Sequence, residues 1–148
     1  MTKDQIIDEA FTVFSSITRP DNFTNFQHCA ECKEHNETLL AYEPRSITRK
    51  ALGTMGWDPI TFTSDHGFKY FLPGLIRVVL TESGNNNYYE QFLWHTIGEG
   101  NYDRIKTFTN EERKVVLKAL QFLLDNKAEE IEFECLEEDI LNAIEKWT

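Results

Sequence analysis

Apolar residues recurring every three or four positions run through most of this 148-residue chain, and that spacing constrains its fold more than any other feature. An α-helix turns once in about 3.6 residues, so such a series lies on one face and has to be buried. Ile6, Ile7, Ala10, Phe11, Phe14 and Ile17 make the first stripe, with Thr2 and Gln5 placed as a capping box and Pro20 ending it. Leu39, Leu40 and Tyr42 predict a short helical stretch stopped by Pro44, and Ser46 caps another through Leu52 to Gly53. Pro73 suits the first position of a helix carrying Leu75, Ile76, Val79 and Leu80 as far as Gly84. Tyr88, Tyr89, Phe92, Leu93 and Ile97 follow beyond an Asn85-Asn86-Asn87 loop, closed by Gly98 and Gly100. Thr109 and Glu112 form a second capping box ahead of Val116, Leu117, Leu120, Leu123 and Leu124. The last helix is expected from Ala128 to Trp147, with Leu136, Ile140, Ile144 and Trp147 on one face.

One stretch changes period. Ile60-Thr61-Phe62-Thr63 and Phe68-Lys69-Tyr70-Phe71 alternate, with Ser64-Asp65-His66-Gly67 between them as turn residues. The expected fold is therefore mainly α (α+β): about five to six helices and one small β-hairpin near residues 60–71, in a single compact domain over residues 1–148.

At this length a chain buries roughly 70% of its unfolded surface without staples, and eleven Phe in a 41% hydrophobic composition are ample for a core. A net charge of −10 excludes general nucleic-acid or anionic-membrane binding, which needs a basic footprint. No apolar run approaches the about 20 residues of a membrane span. Met1-Thr2-Lys3-Asp4 has no signal-peptide pattern, and three cysteines, an odd number, make no disulfide framework. A cytoplasmic protein is expected.

Chemistry concentrates in His28-Cys29-Ala30-Glu31-Cys32-Lys33-Glu34-His35. Thiolates and imidazoles are the usual zinc ligands, and Cys29 and Cys32 have C-x2-C spacing with His35 at the next such interval. A turn carrying Cys29 that enters a helix at Cys32 suits the set Cys29, Cys32, His35 with His28 as fourth ligand. His66, Asp58, Cys135 or water are alternatives for that place. No second C-x2-C or H-x3-5-H completes a closed site. The alternative is structural: free cysteine is commonly buried as a small hydrophobe, and the histidines can pair with Glu31 and Glu34. A thioredoxin-type dithiol would follow a strand in a βαβ unit, which the pattern does not show, and Lys33 rules out a C-x-x-C-H haem site.

These residues carry a resemblance. His28-Cys29-x-Glu31-Cys32-x-x-His35, then Glu37 and Leu39, Trp57-Asp58-Pro59-Ile60, and Gly67-Phe68-x-Tyr70-Phe71-Leu72-Pro73 resemble an uncharacterised, mainly bacterial family over roughly residues 6–124. The resemblance implies that these segments belong to one fold and implies no activity.

Other constellations are weaker. Asp58 and His66 could be an acid/base pair, but before Pro59 and Gly67 they read as turn residues. His95, in an aromatic helix, reads as a satisfied buried imidazole. No nucleophile elbow, phosphate loop or EF-hand occurs, so no catalytic residue is assigned. Asp125, Glu129, Glu130, Glu132, Glu134, Glu137, Glu138, Asp139 and Glu145 face only Lys127 and Lys146 across the last 24 residues. Two function classes follow: a zinc-binding domain built on residues 28–35, or an interaction or inhibitor (immunity-like) module whose acidic last helix meets a basic protein partner.

Overall fold

The computed structural model describes residues 1–97 and 102–148, and the expected glycine stop at Gly98 and Gly100 lies outside them. The described residues form eight α-helices: α1 (Lys3–Val13), α2 (Ala30–Leu40), α3 (Asp65–Thr81), α4 (Tyr89–Ile97), α5 (Tyr102–Lys106), α6 (Asn110–Asn126), α7 (Ala128–Phe133) and α8 (Glu137–Trp147). Short 3-10 turns occupy Met55–Trp57, Pro59–Phe62 and Gly84–Asn86, and no strand occurs among the described residues. None of these helices is long and apolar enough to cross a membrane.

The mainly helical expectation holds, while the β-hairpin over 60–71 and the lower helix number do not. Ser64, expected in a hairpin turn, is the N-cap of α3, and its Oγ accepts from the Gly67 amide at 3.1 Å. Asp58 caps the preceding 3-10 turn through Ile60 N at 2.9 Å, with Pro59 in its first turn. The first alternating run lies in that 3-10 turn, and the second belongs to a helix buried nearly all round: Phe68, Phe71, Leu72, Leu75, Ile76 and Val79 are each inaccessible to solvent. With apolar residues around most of its circumference, a short part of such a helix is hard to tell from a buried strand by pattern.

Helix α3 contributes more buried residues than any other described helix. Pro73 lies inside it rather than at its start, and beside it Gly74 lets the 44–47 segment come close. A Cβ on Gly74 would stand 2.4 Å from the Pro44 carbonyl oxygen. Arg77 fastens the same segment, its Nη2 donating to the carbonyls of Pro44 (3.1 Å) and Ile47 (2.5 Å). The helix expected from Ser46 to Leu52 is instead a run of turns. Gly74→Ala should therefore destabilise by about 1–3 kcal/mol, the usual cost of overpacking, although alanine is the better helix former. Urea denaturation checks this, and an unchanged midpoint would show that the Pro44 contact yields freely.

Both predicted capping boxes form, Thr2 with Gln5 on α1 and Thr109 with Glu112 on α6. Helix α1 packs on α3 and α6, α6 on α8, and α8 on α4. The predicted face of α8 is buried through Leu136, Ile140 and Trp147, with Ile144 packed at its margin. The single helix expected over 128–147 is broken, however. Cys135 takes a left-handed φ of 58° between α7 and α8, a conformation that stops an L-residue helix. Glu137 and Glu138 are exposed, whereas Glu130 is half-buried at the surface and accepts hydrogen bonds from the Tyr89 hydroxyl and the Gly84 amide.

Candidate metal centre

The site is built at the N-terminal end of α2. Cys29 is the N-cap residue, with extended backbone, and its Sγ accepts from the Cys32 amide at 3.4 Å. The helix then carries Cys32 inward while the preceding turn leaves His28 and Cys29 exposed. Local geometry thus brings an i, i+3 and an i, i+4 pair together. The two sulfurs are 3.3 Å apart, and His28 Nδ1 lies 3.7 Å from Cys32 Sγ. One ligand atom from each of His28, Cys29 and Cys32 falls within 4.8 Å of the others.

The loop before α2 is held from behind. Buried Asn36 accepts from the amides of Phe23 (2.7 Å) and Thr24 (3.2 Å) through Oδ1 and donates to Asn22 Oδ1 at 3.0 Å. Thr24 Oγ1 donates to the Cys32 carbonyl at 2.6 Å. Phe23, 1% exposed, anchors this loop against Phe71 with ring centroids 4.9 Å apart. Thr24 and Asn36 were not singled out by sequence, although an Asn in the middle of a helix is a signal, since it competes with the helix backbone unless its amide is engaged elsewhere.

Of the four expected ligands, His35 is the one outside this group. It lies one turn further along the same buried side of α2 as Cys32, 1% exposed, its ring stacked on Phe62 at 4.8 Å and covered by Trp57 at 4.6 Å. Its Nε2 stands 3.6 Å from Glu31 Oε1, too far for a hydrogen bond, and has no other partner. His35 is therefore where the 57–62 segment packs onto α2. The alternative fourth ligands are elsewhere. His66 meets the Thr18 carbonyl at 2.6 Å, Asp58 is buried among its own partners, and Cys135 is exposed at the α7–α8 junction.

The two thiols differ in acidity. The Cys32 amide, with help from His28 and Cys32 Sγ, lowers the Cys29 thiol to about 7. Cys32 is pushed up, first by its hydrogen bond with Cys29 and then by burial. One thiol is thus readily ionised while its neighbour holds its proton until something takes its place.

A second polar cluster lies in the core and does different work. Asp58 Oδ2 receives hydrogen bonds from Tyr88 Oη at 2.7 Å and Gln91 Nε2 at 2.9 Å, and pairs with His95 Nε2 at 2.9 Å. Arg49 extends it, donating to Gln91 Oε1 at 2.7 Å and to the Gly53 carbonyl at 2.8 Å. Asp58 and His95 are each 2% exposed, so this network ties the 49–60 segment to α4 away from solvent. Its signal was the series Tyr88, Gln91 and His95, three and four apart on the side of α4 that also carries buried apolar residues.

Comparison with protein-family models, with curated proteins and with solved structures returned no match.

Proposed function

We propose that the N-terminal end of α2 binds a thiophilic divalent metal ion, with zinc the best fit, through Cys29, Cys32 and His28. The observation supporting this is the convergence of two sulfurs and an imidazole within 4.8 Å. Zn–S bonds of about 2.3 Å in a tetrahedron place two sulfurs roughly 3.8 Å apart. From the present 3.3 Å, small side-chain rotations suffice. Two thiolates and an imidazole favour zinc over magnesium or calcium, which prefer all-oxygen ligands. Three protein ligands leave a fourth position to water or an exogenous donor, on the exposed side formed by His28 and Cys29.

Reduced protein titrated against a chromophoric chelator should take up one zinc per chain. Cobalt in its place should give a sulfur-to-metal charge-transfer band. Cys29→Ser and Cys32→Ser should each abolish tight binding. His28→Ala should weaken it by at least about 10–100-fold, the loss that removing even an outer-sphere partner of a ligand brings. His35→Ala should leave the stoichiometry unchanged. Absence of the charge-transfer band, or binding that survives both serine substitutions, would overturn the reading.

A further inference from the structure

The relation of the two sulfurs carries an activity beyond metal binding. Cys29 Sγ is exposed at the mouth of α2 with the Cys32 amide directed at it, whereas Cys32 is buried behind it. They stand 3.3 Å apart, and a disulfide needs about 2.05 Å. Closure therefore asks for little more than side-chain rotation, while Thr24 Oγ1 holds the Cys32 carbonyl and Asn36 holds the Phe23–Thr24 loop ahead of the pair. Cys135, the third thiol, is exposed in another part of the fold.

We propose that Cys29 and Cys32 form a reversible dithiol/disulfide couple that exchanges with small-molecule disulfides, Cys29 attacking and Cys32 resolving. The Cys29 thiolate attacks one sulfur of R–S–S–R, whose S–S bond breaks, and R–S⁻ leaves to take a proton from water. Cys32 then gives its proton to solvent and attacks Cys29 Sγ, expelling the second R–S⁻. Two electrons and two protons pass from the protein dithiol to the small disulfide, which becomes two thiols. Burial decides the order, because an incoming disulfide reaches Cys29 and not Cys32. Closure also takes both sulfurs from a metal, so oxidation and metal loading exclude each other. That consequence rests on the metal reading; the exchange itself does not.

The test uses chelator-treated Cys135→Asn protein, asparagine being tolerated at the left-handed φ of that position. It is equilibrated with mixtures of oxidised and reduced glutathione, then alkylated and weighed by mass spectrometry. The chain should lose two hydrogens, retain no glutathione, protect both thiols from alkylation, and revert with excess thiol. With Cys32→Ser added, one glutathione should stay on Cys29. With Cys29→Ser added, the adduct on Cys32 should form at least about tenfold more slowly, reflecting its lower accessibility. Two retained adducts, or two thiols still open to alkylation under oxidising mixtures, would overturn the couple. Equal adduct rates in the two single-thiol chains would overturn the assigned roles. Zinc uptake by the reduced chain is scored separately, so failure of one reading is distinguishable from failure of the other.

Discussion

Replacing Asp58 with alanine should cost about 3–5 kcal/mol of folding stability, the usual penalty for removing one partner from a buried carboxylate network. The loss exceeds that of one hydrogen bond because four groups depend on this carboxylate. Ile60 N, Tyr88 Oη, Gln91 Nε2 and His95 Nε2 all meet it. Truncation would strand these groups in a core without water to replace the acceptor. The network also supplies a pH dependence. Burial by itself would raise the Asp58 carboxyl, but hydrogen bonds from His95, Tyr88 and Gln91 and the His95 charge outweigh it and hold it below the ordinary carboxylate range. A carboxyl lowered by folding adds stability that is complete above its unfolded value near 4. That contribution is lost as pH falls from there through the folded value. Urea denaturation of wild type and Asp58→Asn from pH 7 down to 3 should show the variant less stable at neutrality and less acid-sensitive. A cost under about 1 kcal/mol for Asp58→Ala would mean that the network is solvated or remade.

Trp147→Ala should cost about 3–5 kcal/mol, as expected for removing a buried aromatic. Trp147 occupies the last turn of α8, where fraying normally limits what a side chain contributes. Here it is 1% exposed and meets Phe108 edge to face, with centroids 4.9 Å apart. Its Nε1 donates to the Thr96 carbonyl at 3.0 Å, joining α8 to α4. Trp147→Phe keeps part of the ring volume and loses that donor, so it should recover more than half of the alanine loss. Chemical denaturation followed by far-ultraviolet circular dichroism measures both. A deficit below about 1 kcal/mol for the alanine variant would show that α8 is not fixed by its end. The contrast with Phe62 is useful: at 36% exposure, that ring covers His35 from the surface, and its truncation should cost far less.

What the sequence determined by itself were features made by residues near one another. The capping boxes at Thr2/Gln5 and Thr109/Glu112 formed because each joins residues three apart, and α1, α4, α6 and α8 buried the faces their spacing marked. His28, Cys29 and Cys32 came together for the same reason, being set by one N-cap and one helical turn. Tertiary structure decided the rest. The 60–71 segment had apolar residues at positions compatible with either period, and only packing made its first residues a 3-10 turn and its last the start of α3, which is buried nearly all round. His35 lies outside the His28, Cys29 and Cys32 group because, one turn further along α2, its ring is engaged by Trp57 and Phe62 from a segment distant in sequence. Asp58 found His95, 37 residues away, because a carboxylate enclosed by the core needs donors and the polar edge of α4 supplied them. No local spacing encodes that meeting; it follows from where the packed helices leave a buried charge its partners.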